Sequence, residues 1–142
     1  MNMVKKTLTK KEFEALSDFR HQLRCFVRFS EDITHKFGVT NLQYLLLLHV
    51  KGYKGREWAT ISELAERLQT HHNGVVSLVS RCVKLGLLYR QRSTIDKREV
   101  KICLTAEGNR MVRKIANAHR NELISLQGIF RIPGAKELGA GA

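Results

Sequence analysis

The chain has 142 residues, 43% of them hydrophobic, enough for one domain with a buried core and too few to suggest a second. Its net charge of +12 is large for that size, and between Lys51 and Lys101 eleven Lys or Arg stand against five Asp or Glu, half of the whole excess. A basic field so concentrated favours a polyanion, with a membrane surface as the competing partner. No apolar run is long enough to span a bilayer and no apolar signal segment opens the chain, so the expected location is the cytoplasm, with no membrane partner. Three cysteines, at positions 25, 82 and 103, neither pair evenly nor show C-x-x-C spacing. That argues against structural disulfides and a zinc ribbon.

In chain order, Met1 to Leu8 with Lys5 and Lys6 reads as a fraying basic arm. Thr9 and Glu12 stand at capping-box spacing, and Phe13, Leu16, Phe19, Leu23, Phe26, Ser30, Ile33 and Phe37 follow one helical stripe, broken only by Ser30 and stopped by Gly38. So aromatic a stripe must pack against something. Thr40 and Gln43 repeat the capping spacing before Tyr44 to Val50, a helix apolar nearly all round and therefore central. Lys51 to Arg56 is a glycine-containing basic loop. Trp58 after it reads as a packing residue, with a stacking platform for a ligand or base as the alternative.

From Thr60 the pattern changes character. Thr60 and Glu63 cap a short helix with Leu64, Ala65 and Leu68 on one face; the polar run Thr70, His71, His72, Asn73 interrupts it. Val75, Val76, Val79, Cys82 and Val83 then form the inner stripe of a second helix, with Asn73, Ser77, Ser80, Arg81 and Lys84 on the opposite face, suited to a DNA groove. Gly86 ends that helix, Leu87 to Arg92 turns strand-like, and Val100, Ile102 and Leu104 alternate with Glu99, Lys101 and Cys103 in a strand that pairs back across Ser93 to Lys97. Two helices and a hairpin in this order predict a winged helix-turn-helix over 40–104. Thr105 caps a last long helix with Met111, Val112, Ile115, Ala118, His119, Leu123, Ile124 and Leu126 as its stripe. After Ile129 and Phe130, the sequence Ile132-Pro133-Gly134 and the terminal Gly139-Ala140-Gly141-Ala142 leave little helix-forming power, so a final helix is short or absent.

Leu64-Ala65, Arg81, Gly86-Leu87, Arg90, Asp96-x-Arg98 and Leu104-Thr105-x-Glu107-Gly108 together resemble the MarR family of bacterial transcription regulators, from about Glu12 to Leu126. The Asp-x-Arg wing followed by Leu-Thr-x-Glu-Gly is the specific part. The resemblance implies a mostly α fold with a small β-hairpin wing, a single domain over 1–142. In it a winged helix-turn-helix is flanked by dimerisation helices at 9–37 and 105–130. It implies that Arg98 enters the minor groove, held in position by Asp96, beside the major groove occupied by the recognition helix. A planar guanidinium suits a narrow, strongly negative minor groove, and a nearby carboxylate can fix its direction. A plain surface ion pair at a hairpin tip is the rival reading. The expected DNA-binding set is Thr70, His71, His72, Asn73, Ser77, Arg81, Lys84, Arg90, Asp96, Lys97 and Arg98. The expected partners are double-stranded DNA, a second copy of the chain and, as a candidate, a small-molecule effector.

Little else carries chemistry. His71 and His72 are adjacent, so they do not share a helical face and serve DNA contact or capping better than chelation. His21 and Cys25, four apart, share a face and form a candidate effector or redox site, with Arg24 and Arg28 close in sequence. Cys82 on the inner stripe reads as a small buried hydrophobe, and Cys103 lies on the opposite face of the wing strand from Ile102. No nucleophile and base, phosphate loop or paired carboxylate stands out, so no enzyme, metal or cofactor is read. The reading is a homodimeric, sequence-specific DNA-binding regulator, a repressor in its simplest form. The alternatives are an architectural or RNA-binding winged helix of low specificity, and a winged-helix protein-interaction module.

Overall fold

Threonines set where the helices begin. In the computed structural model, which describes residues 7–126 and 131–140, Thr9, Thr40 and Thr60 each accept from the backbone N–H three residues on. The Glu12, Gln43 and Glu63 side chains reach back to the threonine N–H in return. Thr105 caps likewise, accepting from Gly108 N at 3.0 Å. Each such cap satisfies donors that the first helical turn leaves unpaired and contributes about 1 kcal/mol. The elements are α1 (Lys10–Lys36), α2 (Asn41–Lys51), β1 (Trp58–Ala59), α3 (Ile61–Leu68), α4 (His72–Lys84), β2 (Leu88–Arg92), β3 (Val100–Leu104) and α5 (Ala106–Ser125). The expected basic arm at Lys5 and Lys6, and Ile129 and Phe130, lie outside the described residues.

The sheet differs from the expected two-stranded hairpin. Its order is β1-β3-β2, all antiparallel, with Trp58 opposite Cys103 and Tyr89 opposite Cys103 on the other side. The wing strand β3 is therefore central, and Cys103 is buried along with Ile102. A strand expected to have one wet face is covered on both, because Trp58 and Tyr89 flank the thiol.

α2 lies at the centre, as its composition requires. Leu46, Leu47 and Val50 are wholly buried in one cluster with Leu64, Val75, Val79, Cys82, Ile102, Val112 and Ile115, so every element from α2 to α5 shares one core. α4 ends in a Schellman motif: Leu87 N donates to Cys82 O at 2.9 Å and Gly86 N to Val83 O at 3.0 Å, with Gly86 at φ +75°. The chain then approaches α5 closely. A Cβ on Gly108 would stand 2.0 Å from the carbonyl oxygen of Leu87, so only glycine lets the first turn of α5 seat against the end of α4.

The two long helices are joined to this core by a polar network. His119 of α5 is buried, stacked on Tyr44 at 4.8 Å between centroids, with Nδ1 2.9 Å from Ile115 O and Nε2 2.7 Å from Ser30 Oγ. Ser30 Oγ in turn lies 2.8 Å from Asn41 Oδ1. The serine that interrupts the first stripe and the histidine within the last are partners, and together with Asn41 they tie α1, α2 and α5. Beyond that knot the stripes are uncovered: Phe13, Leu16, Leu123 and Ile124 are exposed. Residues 131–140 form turns with no regular helix, as the glycines and proline imply. They lie along α1, where Arg131 N donates to Gln22 Oε1 at 3.2 Å and Arg131 pairs with Glu137 at 2.6 and 2.9 Å.

Candidate nucleic-acid interface

The turn between α3 and α4 is tight because Gln69 takes the left-handed conformation, φ 51° and ψ 47°, and Thr70 N donates back to Ala65 O at 3.1 Å. Thr70 Oγ1 donates to Leu68 O at 3.3 Å, and its methyl lies where a Cβ on Gly74 would touch it at 3.1 Å. Its side chain therefore shapes the turn. His71 is the N-cap of α4 with no capping bond from its ring, so the capping half of the expectation for the two histidines does not hold for His71. Both rings are exposed.

α4 contains no carboxylate, and Asn73, Ser77, Arg81 and Lys84 all face outward as the wheel predicts. One residue moves sides. Val76, read as part of the inner stripe, is exposed, and Leu78 packs against the core instead. Val75 and Val76 are adjacent, about 100° apart on the helix, and the narrow stripe through Val75, Val79 and Cys82 accommodates only the first. Ser80 also has a role its position did not reveal: its Oγ accepts from Arg90 Nη2 at 2.8 Å, so β2 holds its guanidinium against the recognition helix.

The wing turn is built by two side chains. Ser93 Oγ accepts from the N–H of Ile95 and of Asp96, both at 3.2 Å, while Ser93 N donates to Glu99 O at 3.1 Å. Asp96 Oδ1 accepts from Arg98 N at 3.0 Å and stands 3.6 Å from Arg98 Nε. Asp96 thus orients Arg98 twice, through backbone and side chain, while the Arg98 side chain remains 95% exposed. Ser93 was missed as a site residue. The signal was there in Ser93-x-x-Asp96, a spacing at which a hydroxyl bonds the backbone of a turn. Asp96, Arg98 and Glu99 share a concavity of about 540 Å³ with Thr60, Ser62 and His72, so the wing tip and the start of α4 flank one groove.

Behind the wing, Trp58 carries cations on its ring: Arg56 at 3.8 Å and Lys101 at 4.4 Å, with Arg56 also 4.3 Å from the Tyr53 ring. The Arg56 guanidinium is paired with Glu63. Burial pushes the Glu63 carboxyl up, but hydrogen bonds from Tyr53, Thr60 and Arg56 outweigh it and bring its pKa down to about 2. Trp58 is accordingly a packing residue whose face is taken by cations of its own chain. Elsewhere, Cys25 Sγ and His21 Nε2 are 3.5 Å apart on the exposed side of α1, so the pair is formed as spacing implies. Cys82 is buried, which raises its thiol to about 11. Among the described residues no group of three or more His, Cys, Asp or Glu is placed to hold a metal ion, and no helix is long and apolar enough to cross a membrane.

Residues 37–99 match the model of the MarR family. No curated protein matches the chain in sequence at a significant level. Among solved structures the chain is similar to AbsC, a MarR family transcriptional regulator from Streptomyces coelicolor, at 21% identity and TM-score 0.75, covering 94% of this chain and 88% of that one. It is similar to a MarR family protein from Bacillus stearothermophilus at 18% identity and TM-score 0.72, over 88% and 86% of the two chains. A mutant of MepR from S. aureus, bound to an oligodeoxyribonucleotide, matches at 20% identity and TM-score 0.65, over 80% and 81%.

Proposed function

On the footing of the match to the MarR family model over residues 37–99, we propose that this chain is a MarR-type, sequence-specific, homodimeric repressor of transcription acting in the cytoplasm. α4 enters the major groove of double-stranded DNA with Asn73, Ser77, Arg81 and Lys84 toward the base edges and backbone. The wing carries Arg98 into the neighbouring minor groove. His71, His72, Arg90 and Lys97 add contacts on the same side, and Thr70 sets the turn that presents them. The observation that carries the reading is the wing: an exposed guanidinium whose neighbouring aspartate accepts from its backbone N–H and pairs with its Nε at 3.6 Å, beside a helix α4 free of carboxylates. A guanidinium merely solvated at a hairpin tip needs no such double restraint. The MepR structure with an oligodeoxyribonucleotide supports the reading from outside this chain.

Homodimerisation rests on the arms. α1 and α5 carry apolar side chains that the winged-helix core leaves exposed, and a self-complementary pairing of two copies buries them. Two recognition helices related by a two-fold axis then read two half-sites about one helical turn apart.

The test is selection from random duplexes by the purified protein, followed by competition of the selected duplex against scrambled DNA. Selected sequences should be pseudo-palindromic, and the specific complex should withstand at least a thousandfold excess of scrambled competitor. A flat selection with equal competition by any duplex would leave a basic, unspecific winged helix. No binding even at low salt would remove nucleic acid altogether.

A further inference from the structure

Val76 is the one apolar side chain standing outward on the carboxylate-free face of α4. Of its neighbours one turn away, His72, Asn73 and Ser80 are polar and Val79 is buried in the core; Val76 itself is 39% exposed and lies outside the core cluster. A single exposed valine is ordinary on a protein surface. Its position makes this one informative, because it lies among the hydrogen-bonding groups that face DNA. The major-groove edge of the base pairs is itself polar except for one group, the C5 methyl of thymine. A β-branched side chain on a helix holds one strongly preferred rotamer, so Val76 presents its methyls in a fixed direction at little entropic cost. Arg90, anchored on Ser80 one turn along, restrains the same shoulder of the helix.

We infer that Val76 is a specificity-determining residue that reads a thymine methyl in each half-site. The inference rests on the proposed function, since it requires α4 to lie in the major groove of a preferred sequence. It assigns to Val76 discrimination of thymine from the other bases at one position, while Arg81 and Lys84 supply charge and hydrogen bonds.

The experiment removes the methyl from the DNA and its partner from the protein. On the duplex obtained by selection, each dT is replaced in turn by dU, which pairs identically but lacks the methyl, and binding is followed by fluorescence anisotropy. At one thymine per half-site the parent should lose about fourfold in affinity, the effect of unburying one methyl group. Val76→Ala should bind the dT duplex more weakly by a similar factor and show no difference between dT and dU there. Val76→Thr, which keeps the shape, should retain part of the preference. If Val76→Ala keeps the full dU penalty at every thymine, or the parent ignores dU everywhere, Val76 reads no methyl. A selection that returns no preferred duplex is a different failure, because it overturns the sequence-specific reading itself and the inference with it.

Discussion

The winged-helix core and the two long helices differ in what they do with their apolar residues. From α2 to β3 one cluster seals the centre: Leu46, Leu47, Val50, Leu64, Val75, Val79 and Ile102 are wholly buried within one chain. α1, at 27 residues the longest helix, buries only Glu12, Ser30, Ile33 and Thr34, and leaves Phe13 54% exposed. The core is therefore stabilised by its own packing, which α5 joins through Val112 and Ile115, whereas α1 adds only Ile33 to it and is tied in by the contacts of Ser30 with His119 and Asn41. One region buries its central apolar groups within the chain and the other leaves several exposed, which under the proposed function separates recognition from assembly.

The sharpest way to break that contrast is to damage each region in turn. Leu47→Ala should cost about 2–5 kcal/mol, through lost burial and the cavity it leaves. The measurement is urea unfolding followed by circular dichroism. Phe13→Ser with Leu123→Ser should leave helical content nearly unchanged and instead lower the mass found by light scattering to that of one chain. If the arm variant unfolds the protein as the core variant does, or leaves the mass unchanged, the division between core and arms is wrong.

The seam between the two regions comes next in size. Gly108→Ala places a methyl 2.0 Å from Leu87 O, a backbone atom with no rotamer to change, so α5 must shift or the end of α4 must move. A loss of about 2–4 kcal/mol is expected, larger than any helix-propensity gain from alanine. Calorimetry that found the variant as stable as the parent would mean the seam is looser than its geometry states.

How far this arrangement could be read from sequence depends on range. The caps at Thr9, Thr40, Thr60 and Thr105, the stop at Gly86 and the wing at Asp96-x-Arg98 are local patterns, each set by residues within a few positions, and the structure has them where spacing puts them. Even the glycine of the Leu-Thr-x-Glu-Gly stretch is legible in kind, although the atom that excludes a side chain, Leu87 O, lies 21 positions away. What escaped were partners distant in sequence. β1 is two residues long, too short for any periodicity, and exists because Trp58 meets Cys103. Ser30 and His119 look like a flaw in one stripe and a polar member of another until the fold brings them within hydrogen-bond reach. Val75 and Val76 are chemically identical, and only the geometry of the core distinguishes the inward one from the outward one.

A smaller effect tests the link from the basic loop to the start of α3. Glu63 closes the capping box at Thr60 and pairs with Arg56, and its pKa in the fold is about 2 against an ordinary 4.5. Because the folded value is depressed, its contribution is fully present above pH 4.5 and is lost as pH falls from there through about 2. Glu63→Gln should therefore cost about 1–2 kcal/mol at pH 7, as expected for a charge-assisted hydrogen bond, and the difference from the parent should shrink on acidification. Thermal unfolding of both proteins between pH 7 and pH 3 measures it. A constant difference across that range would locate the loss in packing and not in charge.

The smallest expected effect falls on the wing, where recognition must be told apart from mere charge. Lys97 and Arg98 are neighbours of equal charge, but only Arg98 is oriented by Asp96, at 3.0 Å through its N–H and 3.6 Å through Nε. Arg98→Lys keeps the charge and loses the planar fork, so specific binding should weaken by about 1 kcal/mol while binding to scrambled DNA hardly moves. Asp96→Asn retains an oxygen for the backbone bond but no ion pair, and its loss should be of the same kind and smaller. Lys97→Ala should lower affinity for both duplexes alike and reduce the slope of log affinity against log salt by about one, the signature of one phosphate contact. Titrations of all three variants on selected and scrambled duplexes at several salt concentrations decide the matter. Should Lys97→Ala abolish discrimination while Arg98→Lys matches the parent on both duplexes, the wing would be acting through charge alone, and the restraint that Asp96 imposes on Arg98 would serve only the turn.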